Sequence, residues 1–440
     1  MPLPNTIASS PRVAIPLRAV YVSLLFGLFV LRFGLGWLGL RLRASGTAAR
    51  QKWLGNCVVS LFRDLGATFI KIGQIMSTRP DLLPAAVVHA LEGLQDNVGP
   101  FPFQDACATI EEDLGRPLAE LFIEIAPHPV ASASIAQVHR ARLQGGRVVA
   151  IKVRRPNVVK LCEFDLSVLR LGARIASWLP GMKHLDPVGT VDQFAKAVRA
   201  QLDLRREAAN NRRFRANFSE QSDTVFPELV DSHCSERVLT MSYIEGTKVF
   251  DVRDLHADPG RIARTGLRTL LKMIFIDGFV HADLHPGNLR VTPDGKLAVF
   301  DLGLVGEISL THRQLFARYF AAWAQRDGDT MARLMIEIST GGSPGKDTFE
   351  HFRADTIAFV GRYWGRRLGD VQLAKVLFRL LSLLRRHRIR VPSEFTTVLI
   401  AVAMTEGVGK RLDPNLDLMA EALPFFLANR PGMAATTVSD

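Results

Sequence analysis

The chain has 440 residues, 48% hydrophobic and 22% charged, a balance that suits a globular protein and excludes a disordered or collagen-like one. Fifty-five Lys and Arg against 43 Asp and Glu give a net charge of +12, which favours anionic partners such as nucleotides or acidic membrane faces. No zinc-finger or RNP sequence accompanies that charge, so nucleic acid is not an expected partner.

No acidic residue precedes Asp64, whereas Arg12, Arg18, Arg32, Arg41, Arg43, Arg50 and Lys52 do. The run AVYVSLLFGLFVLRFGLGWLGL, residues 19–40, is about long enough to span a bilayer. Arg32 interrupts it, and charge at the centre of a span costs about 2.5–3.5 kcal/mol. Residues 1–45 are therefore a basic apolar segment and a candidate membrane anchor, spanning or lying on the surface. A helix packed within the fold, a signal peptide and a transit peptide compete with that reading. Against the last two stand the missing small-residue cleavage site and the length of the apolar run.

From 46 to about 125 the pattern is mainly helical. VVHALEGLQDNV and FQDACATIEEDLG space apolar residues helically, the second ending on Gly115. The period then changes to that of strands in FIEIAP, AQVHRARL and RVVAIKV, with the turn 144–146 between the last two. FDLSVLRLGARIASWL and VDQFAKAVRAQLDLRREAANNRRF return to helical spacing, and RVLTMSYIEG reads as a strand. Beyond Pro259 helices dominate, interrupted by LRVTP and KLAVFDLG around the turn Pro293-Asp294-Gly295. A basic helix, LLRRHRIR, lies near residue 385. Cys57, Cys107, Cys162 and Cys234 are scattered, which argues against a zinc or CxxC site and suits a reducing compartment.

VHADLHPGNLRV followed by LAVFDLG carries the sharpest chemistry. Asp283, Asn288 and Asp301 stand at the spacing at which an Asp orients an attacking hydroxyl while an Asn and a second Asp hold phosphate-bridging metal. Such metals need hard oxygen ligands. In VVAIKV, Lys152 on a strand can reach phosphates, and Glu207 of LDLRREAANN is its leading carboxylate partner. The loop ahead of the lysine strand is not glycine-rich. It reads Val130, Ala131, Ser132, Ala133, Ser134, Ile135, Ala136, a stiffer backbone with two hydroxyls to offer.

Together these segments resemble the UbiB/AarF/ADCK family of atypical kinases, from about Gly66 to Pro414. FIKIGQIMSTRPDLLP matches its KxGQ segment with Lys71 and Gln74. ASASIAQVHRARL matches its alanine-rich loop, VAIKVRRP its lysine strand, HADLHPGN and DLG its catalytic and metal loops, and TEGVGKRLDP its C-terminal stretch. The resemblance implies an α+β, protein-kinase-like two-lobed fold with an added N-terminal helical extension. The boundaries expected are 46–125 for the extension, 126–246 for the N-lobe and 247–440 for the C-lobe. It implies ATP/ADP and Mg2+ as cofactors: Asp283, Lys152 and Glu207 catalytic, Asn288 and Asp301 on metal. Residues 131–135, Lys152, Lys71 and Gln74 are then expected around the nucleotide. It also implies a membrane location, with the catalytic domain on the cytoplasmic or organellar matrix side, and quinone-biosynthesis components as partners.

Three departures stand out. Gln201-Leu202-Asp203 replaces the family's ExD, so an ion pair from this position to Lys71 is lost unless Asp203 substitutes. Leu302 stands where kinases have Phe, and His285 where many have Lys. The expected function is a Mg-dependent kinase-like ATPase or kinase supporting ubiquinone biosynthesis at a membrane. A small-molecule phosphotransferase of the aminoglycoside or choline type and a non-catalytic nucleotide-binding scaffold are the alternatives.

Overall fold

The computed structural model describes residues 46–77, 85–92, 94, 99–178, 186–221, 223–252, 257–340, 345–363, 373–416 and 421, preceded by 20–22, 24, 25, 27–29, 31–36 and 39. Arg12, Arg18, Arg41 and Arg43 lie outside the described residues, as do 78–84 of the KxGQ segment. Contacts divide the chain into two compact units, Met1–Ala209 with Glu228–Tyr243, and Asn210–Pro227 with Ile244–Asp440.

The chain opens with helices α1 (Thr47–Leu65), α2 (Ala67–Ser77), α3 (Ala85–Glu92), α4 (Phe103–Leu114) and α5 (Leu118–Leu121). Strands β1 (Phe122–Ile125), β2 (Ala131–Ser132), β3 (Ala136–Leu143) and β4 (Val148–Arg154) follow, then α6 (Val158–Ala176), α7 (Pro187–Leu202) and α8 (Leu204–Asn217). After β5 (Thr224–Val225), β6 (Val238–Ser242) and β7 (Thr247–Lys248) comes α9 (Pro259–Leu271), which runs into a π-helical turn, Lys272–Asp277. Strands β8 (Phe279–His281), β9 (Leu289–Val291), β10 (Leu297–Val299) and β11 (Val305–Glu307) precede α10 (Leu310–Ala324), α11 (Gly328–Ile338), α12 (Lys346–Tyr363), α13 (Leu373–Arg386) and α14 (Ser393–Leu412). This is the expected α+β, kinase-like two-lobed fold with an N-terminal helical extension.

In the first unit the extension packs on itself and on α6 and α7. Phe62, Leu65, Phe69, Ile72 and Leu91 share a core with Cys162, Leu166, Phe194 and Val198. Gly73, the glycine of KxGQ, lets α2 approach its neighbours. A Cβ there would lie 2.8 Å from Phe62 Cδ2 and 3.3 Å from Leu91 Cδ2, and closer still to Leu94. Gly73→Ala is therefore expected to destabilise the chain by about 1–2 kcal/mol, overpacking outweighing the gain in helix propensity. Urea denaturation checks it; an unchanged midpoint would remove the packing role.

The sheet of this unit runs β1-β3-β4-β6 with β2 beside β3, all antiparallel. Alternation along β4 decides which residues enter which face. Val149, Ile151 and Val153 are fully buried against Ala106, Ile110 and Leu121, so Lys152 and Arg154 point to the other face. The helical run 191–214 is broken where the sequence predicts continuity. Asp203 is extended, and its carboxylate accepts the Arg205 backbone N–H at 3.0 Å, capping α8 as a new helix.

Asp113 ties α4 to the strand edge. Burial pushes its carboxyl up, but hydrogen bonds from Ser235 and Arg237 outweigh that and hold it below the ordinary carboxylate range. A depressed folded value means stability present at neutral pH and lost as pH falls through it. Asp113→Asn is thus expected to lower the denaturation midpoint at pH 7, with the gap from wild type closing as the buffer is taken below the carboxylate range. An equal gap at both pH values would contradict this.

In the second unit, β5 pairs parallel with β10, and β10, β9 and β7 continue antiparallel. β8 pairs with β11. The β9–β10 hairpin closes at Pro293-Asp294-Gly295, where Gly295 takes φ 77° and Thr292 accepts from the Lys296 amide at 2.9 Å. α14, which carries the TEGVGKRL stretch, packs on α9. Thr405, Val408 and Leu412 share with Leu284 and Leu289 an apolar recess of about 30 Å³ behind the loop that follows β8. The basic run near 385 is helical only to Arg386. Arg388 turns left-handed at φ 57°, and His387 reaches Asp355 at 2.9 Å.

Candidate functional site

Lys152 and Glu207 meet in the first unit. The ammonium donates to both carboxylate oxygens, at 3.0 and 2.8 Å, and both side chains are about nine-tenths buried. Glu207 sits in the first turn of α8, where the helix dipole favours an anion. Arg154, its neighbour on the same face of β4, donates to the Leu202 carbonyl and to Glu236 at 2.9 Å.

The alanine-rich segment is the tip of the β2–β3 hairpin. Ala131 pairs with Val138 and Ser132 with Gln137, and the Ala133 amide donates to Ala136 O at 2.8 Å. Ser134 and Ile135 are buried. Arg155, which no sequence signal singles out, pins this tip. Its guanidinium donates to Ala133 O at 2.8 Å, Ser132 Oγ at 2.9 Å and Gly99 O at 2.7 Å, and its backbone N–H donates to Ile135 O at 2.8 Å. The guanidinium also stacks over Phe101, 5.3 Å from the ring centroid. Gln137 secures the base. It bonds both backbone groups of Phe101 and lies 2.8 Å from His139 Nε2, while His139 Nδ1 lies 2.8 Å from Ala126 O. Burial pushes the His139 pKa down.

Lys71 and Gln74 lie one turn apart on α2, and Gln74 donates to Leu94 O at 3.3 Å. Among the described residues Lys71 has no carboxylate partner. Gln201 is buried, and among the described residues its amide nitrogen finds no acceptor. Asp203 does not substitute for the missing Glu, because Arg205 takes its carboxylate through two bonds of 2.9 Å.

In the second unit a local network shapes the catalytic-type loop. His281, fully buried on β8, accepts the Asp283 N–H on Nδ1 at 3.0 Å and donates from Nε2 to Phe300 O at 3.1 Å. It thereby ties the residue after Ala282 to the one before Asp301. The Asn288 amide nitrogen donates to Asp283 O at 2.9 Å, and Phe300 N–H donates to Asn288 O at 2.9 Å. The antiparallel register Val299↔Leu289 brings the Asn288 and Asp301 ends of the hairpin together. Asp301 is left-handed, φ 51°, a conformation that costs an Asp about 1–2 kcal/mol and marks a residue held by its surroundings. Asn210, another residue without a sequence signal, donates to Leu302 O at 2.8 Å and anchors this DLG turn. His285 is exposed, its Nδ1 accepting the Gly287 N–H at 3.1 Å. Among the described residues no group of three His, Cys, Asp or Glu forms a metal cluster. The oxygen donors at this loop are two carboxylates and one amide. Because the Asn288 nitrogen is spent on Asp283, its side-chain oxygen is the atom left to ligate, which fits a hard cation that keeps several waters.

A kinase-like fold with a strand lysine paired to a helix glutamate and an HxDxHxxN loop before a DLG turn defines an atypical kinase-like protein. Residues 93–335 match the family model described as the ABC1 atypical kinase-like domain, and residues 357–417 that of the UbiB helical domain. The first match spans more than half of the chain, so the protein belongs to the UbiB/ABC1 family. Among solved structures it is similar to Rv3197 from Mycobacterium tuberculosis, determined in complex with erythromycin. That likeness is 22% identity over 83% of this chain and 92% of that one, with a TM-score of 0.54, and it is one of fold.

Proposed function

We propose that this protein binds Mg-ATP, transfers its terminal phosphoryl group to water or an acceptor hydroxyl, and works at an anionic membrane in support of ubiquinone biosynthesis. The observation that carries the reading is the left-handed Asp301 joined through Phe300 to Asn288, whose amide nitrogen is already committed to Asp283. In this reading Asn288 and Asp301 hold the magnesium, Lys152 holds phosphate oxygens under the orientation of Glu207, and Asp283 orients the nucleophile. Magnesium would neutralise charge on the transferring group. In the same reading the alanine-rich tip, residues 131–135, would contact the nucleotide, with Lys71 and Gln74 as further contacts. The family context supports the quinone assignment, and the basic, acid-free first 63 residues support the membrane one.

The test is Mg-dependent release of ADP from ATP, with and without anionic vesicles. Nucleotide binding without turnover under any condition would establish a scaffold instead. A second reading, a phosphotransferase for a small hydroxyl-bearing molecule, is favoured by the HxDxHPxN loop; fast phosphorylation of added aminoglycoside, choline or macrolide would establish it. Quinone intermediates accumulating in a strain lacking this chain test the pathway.

Arg155 is a positioning residue in this scheme. Arg155→Met is expected to raise the nucleotide KM about tenfold with little change in kcat, since it frees the loop tip and leaves the reacting groups in place. Arg155→Lys rescues little, because one ammonium cannot replace a planar fork. A loss confined to kcat would contradict the assignment.

A further inference from the structure

We infer that the helical residues ahead of Gly46 lie in the plane of an anionic lipid surface, with the end of α6 as a second contact. This deepens the membrane part of the proposed function and is independent of its phosphoryl-transfer part.

A helix that crosses a bilayer meets lipid on every side. Here one face is occupied by protein. Val22 is 2% exposed and shares the core of Val59, Phe62 and Phe69, with Leu25 and Phe29 packed beside it. The Tyr21 hydroxyl donates to Asp64 O at 2.9 Å, near the end of α1. The rings of Phe33 and Trp53 lie 5.0 Å apart, near its start. A Cβ at Gly36 would collide with the Trp53 ring. The segment therefore runs antiparallel along α1, and driving it through a membrane would carry the exposed Arg63 and Asp64 of α1 into hydrocarbon. Among the described residues no helix is long and apolar enough to cross a membrane.

The opposite face is apolar and open. Val20, Leu24, Leu28, Leu31 and Leu35 follow one another by three or four residues and are 48–64% exposed, a continuous stripe on a helix. Arg32 is exposed beside it. Leu171 and Ile175 on α6, and Trp178 in the turn just beyond its end, repeat the pattern at 55–82% exposure, with Arg174 exposed between them. Apolar stripes edged by arginine, with tryptophan at the margin, suit the boundary between headgroups and acyl chains. Two copies of the N-terminal face would bring only positive charge together, because no acidic residue precedes Asp64. Anionic lipid supplies the complementary charge.

The experiment uses the full chain with phosphatidylcholine vesicles, with and without phosphatidylglycerol. The double substitution Leu28→Glu, Leu31→Glu is expected to lower partition onto anionic vesicles about tenfold or more, with circular dichroism unchanged. Trp178→Glu lowers it by a smaller factor, and Ile123→Glu, at an exposed position on β1, leaves it intact. Dye-labelled Leu24→Cys, Leu28→Cys and Leu35→Cys chains, freed of native cysteines, should be quenched to the same shallow depth by brominated lipids. A deep centre with shallow ends would show a spanning helix and overturn the inference. So would unchanged partition of the double variant, or a dimer without lipid that the double variant dissolves. ATP turnover is read in the same samples; its loss with partition intact bears on the phosphoryl-transfer reading alone.

Discussion

Asp301→Asn is expected to reduce Mg-dependent ATP turnover about a thousandfold while leaving the fold intact. The substitution replaces one carboxylate oxygen by an NH₂ of nearly the same size, so packing is preserved. Asn tolerates the left-handed backbone as well as Asp does, so φ 51° at this position adds no new strain, whereas Ala would pay for it. What changes is charge. In the proposed site, magnesium would lose its one anionic ligand and keep the neutral Asn288 oxygen, so it would neutralise less charge on the transferring group. Thermal melting without nucleotide should match wild type, and the increment that Mg-ADP adds to it should shrink. Turnover retained within a few-fold of wild type would remove Asp301 from the reaction.

Glu207→Ala is expected to destabilise the protein by about 3–5 kcal/mol, the usual cost of leaving one partner of a buried ion pair uncompensated. The ammonium of Lys152 and the carboxylate of Glu207 exclude water about equally and bond through two short contacts. Replacing both, as Lys152→Met with Glu207→Leu, should restore most of that loss, because two apolar side chains of similar volume need no desolvated partner. Denaturation midpoints of the two single variants and the double variant, read as a cycle, measure the coupling. Turnover separates structure from chemistry. The double variant should be stable and inactive if Lys152 holds phosphate. Stable and fully active would leave the pair purely structural.

Much of the chemistry was legible because it is written in local order. The spacing of Asp283, Asn288 and Asp301 is set by a short loop and a tight hairpin, and Pro293-Asp294-Gly295 forces the turn that brings its ends together. Period-two alternation in VVAIKV places Lys152 opposite Val149, Ile151 and Val153 without further information. Asp203 also carried a readable signal, as a residue suited to cap the helix that follows it, yet the apolar spacing through 191–214 ran across it and masked the break. Arg155 and Asn210 carried none. An arginine after a strand and an asparagine in a polar helix look like solvated surface until the loop each one holds is in place.

The sequence by itself determined the residue chemistry, the hairpins and the face on which each strand residue stands, since backbone sterics and hydrophobic period act over a few residues. The Lys152–Glu207 pair, 55 positions apart, was already the leading sequence reading, but tertiary structure alone decided other partners: Arg205 rather than Lys71 for Asp203, and the alanine-rich tip for Arg155. It also decided that one face of the N-terminal apolar segment is spent on α1. Such choices follow from how helices and sheets close over long loops, where packing and desolvation outweigh any local preference.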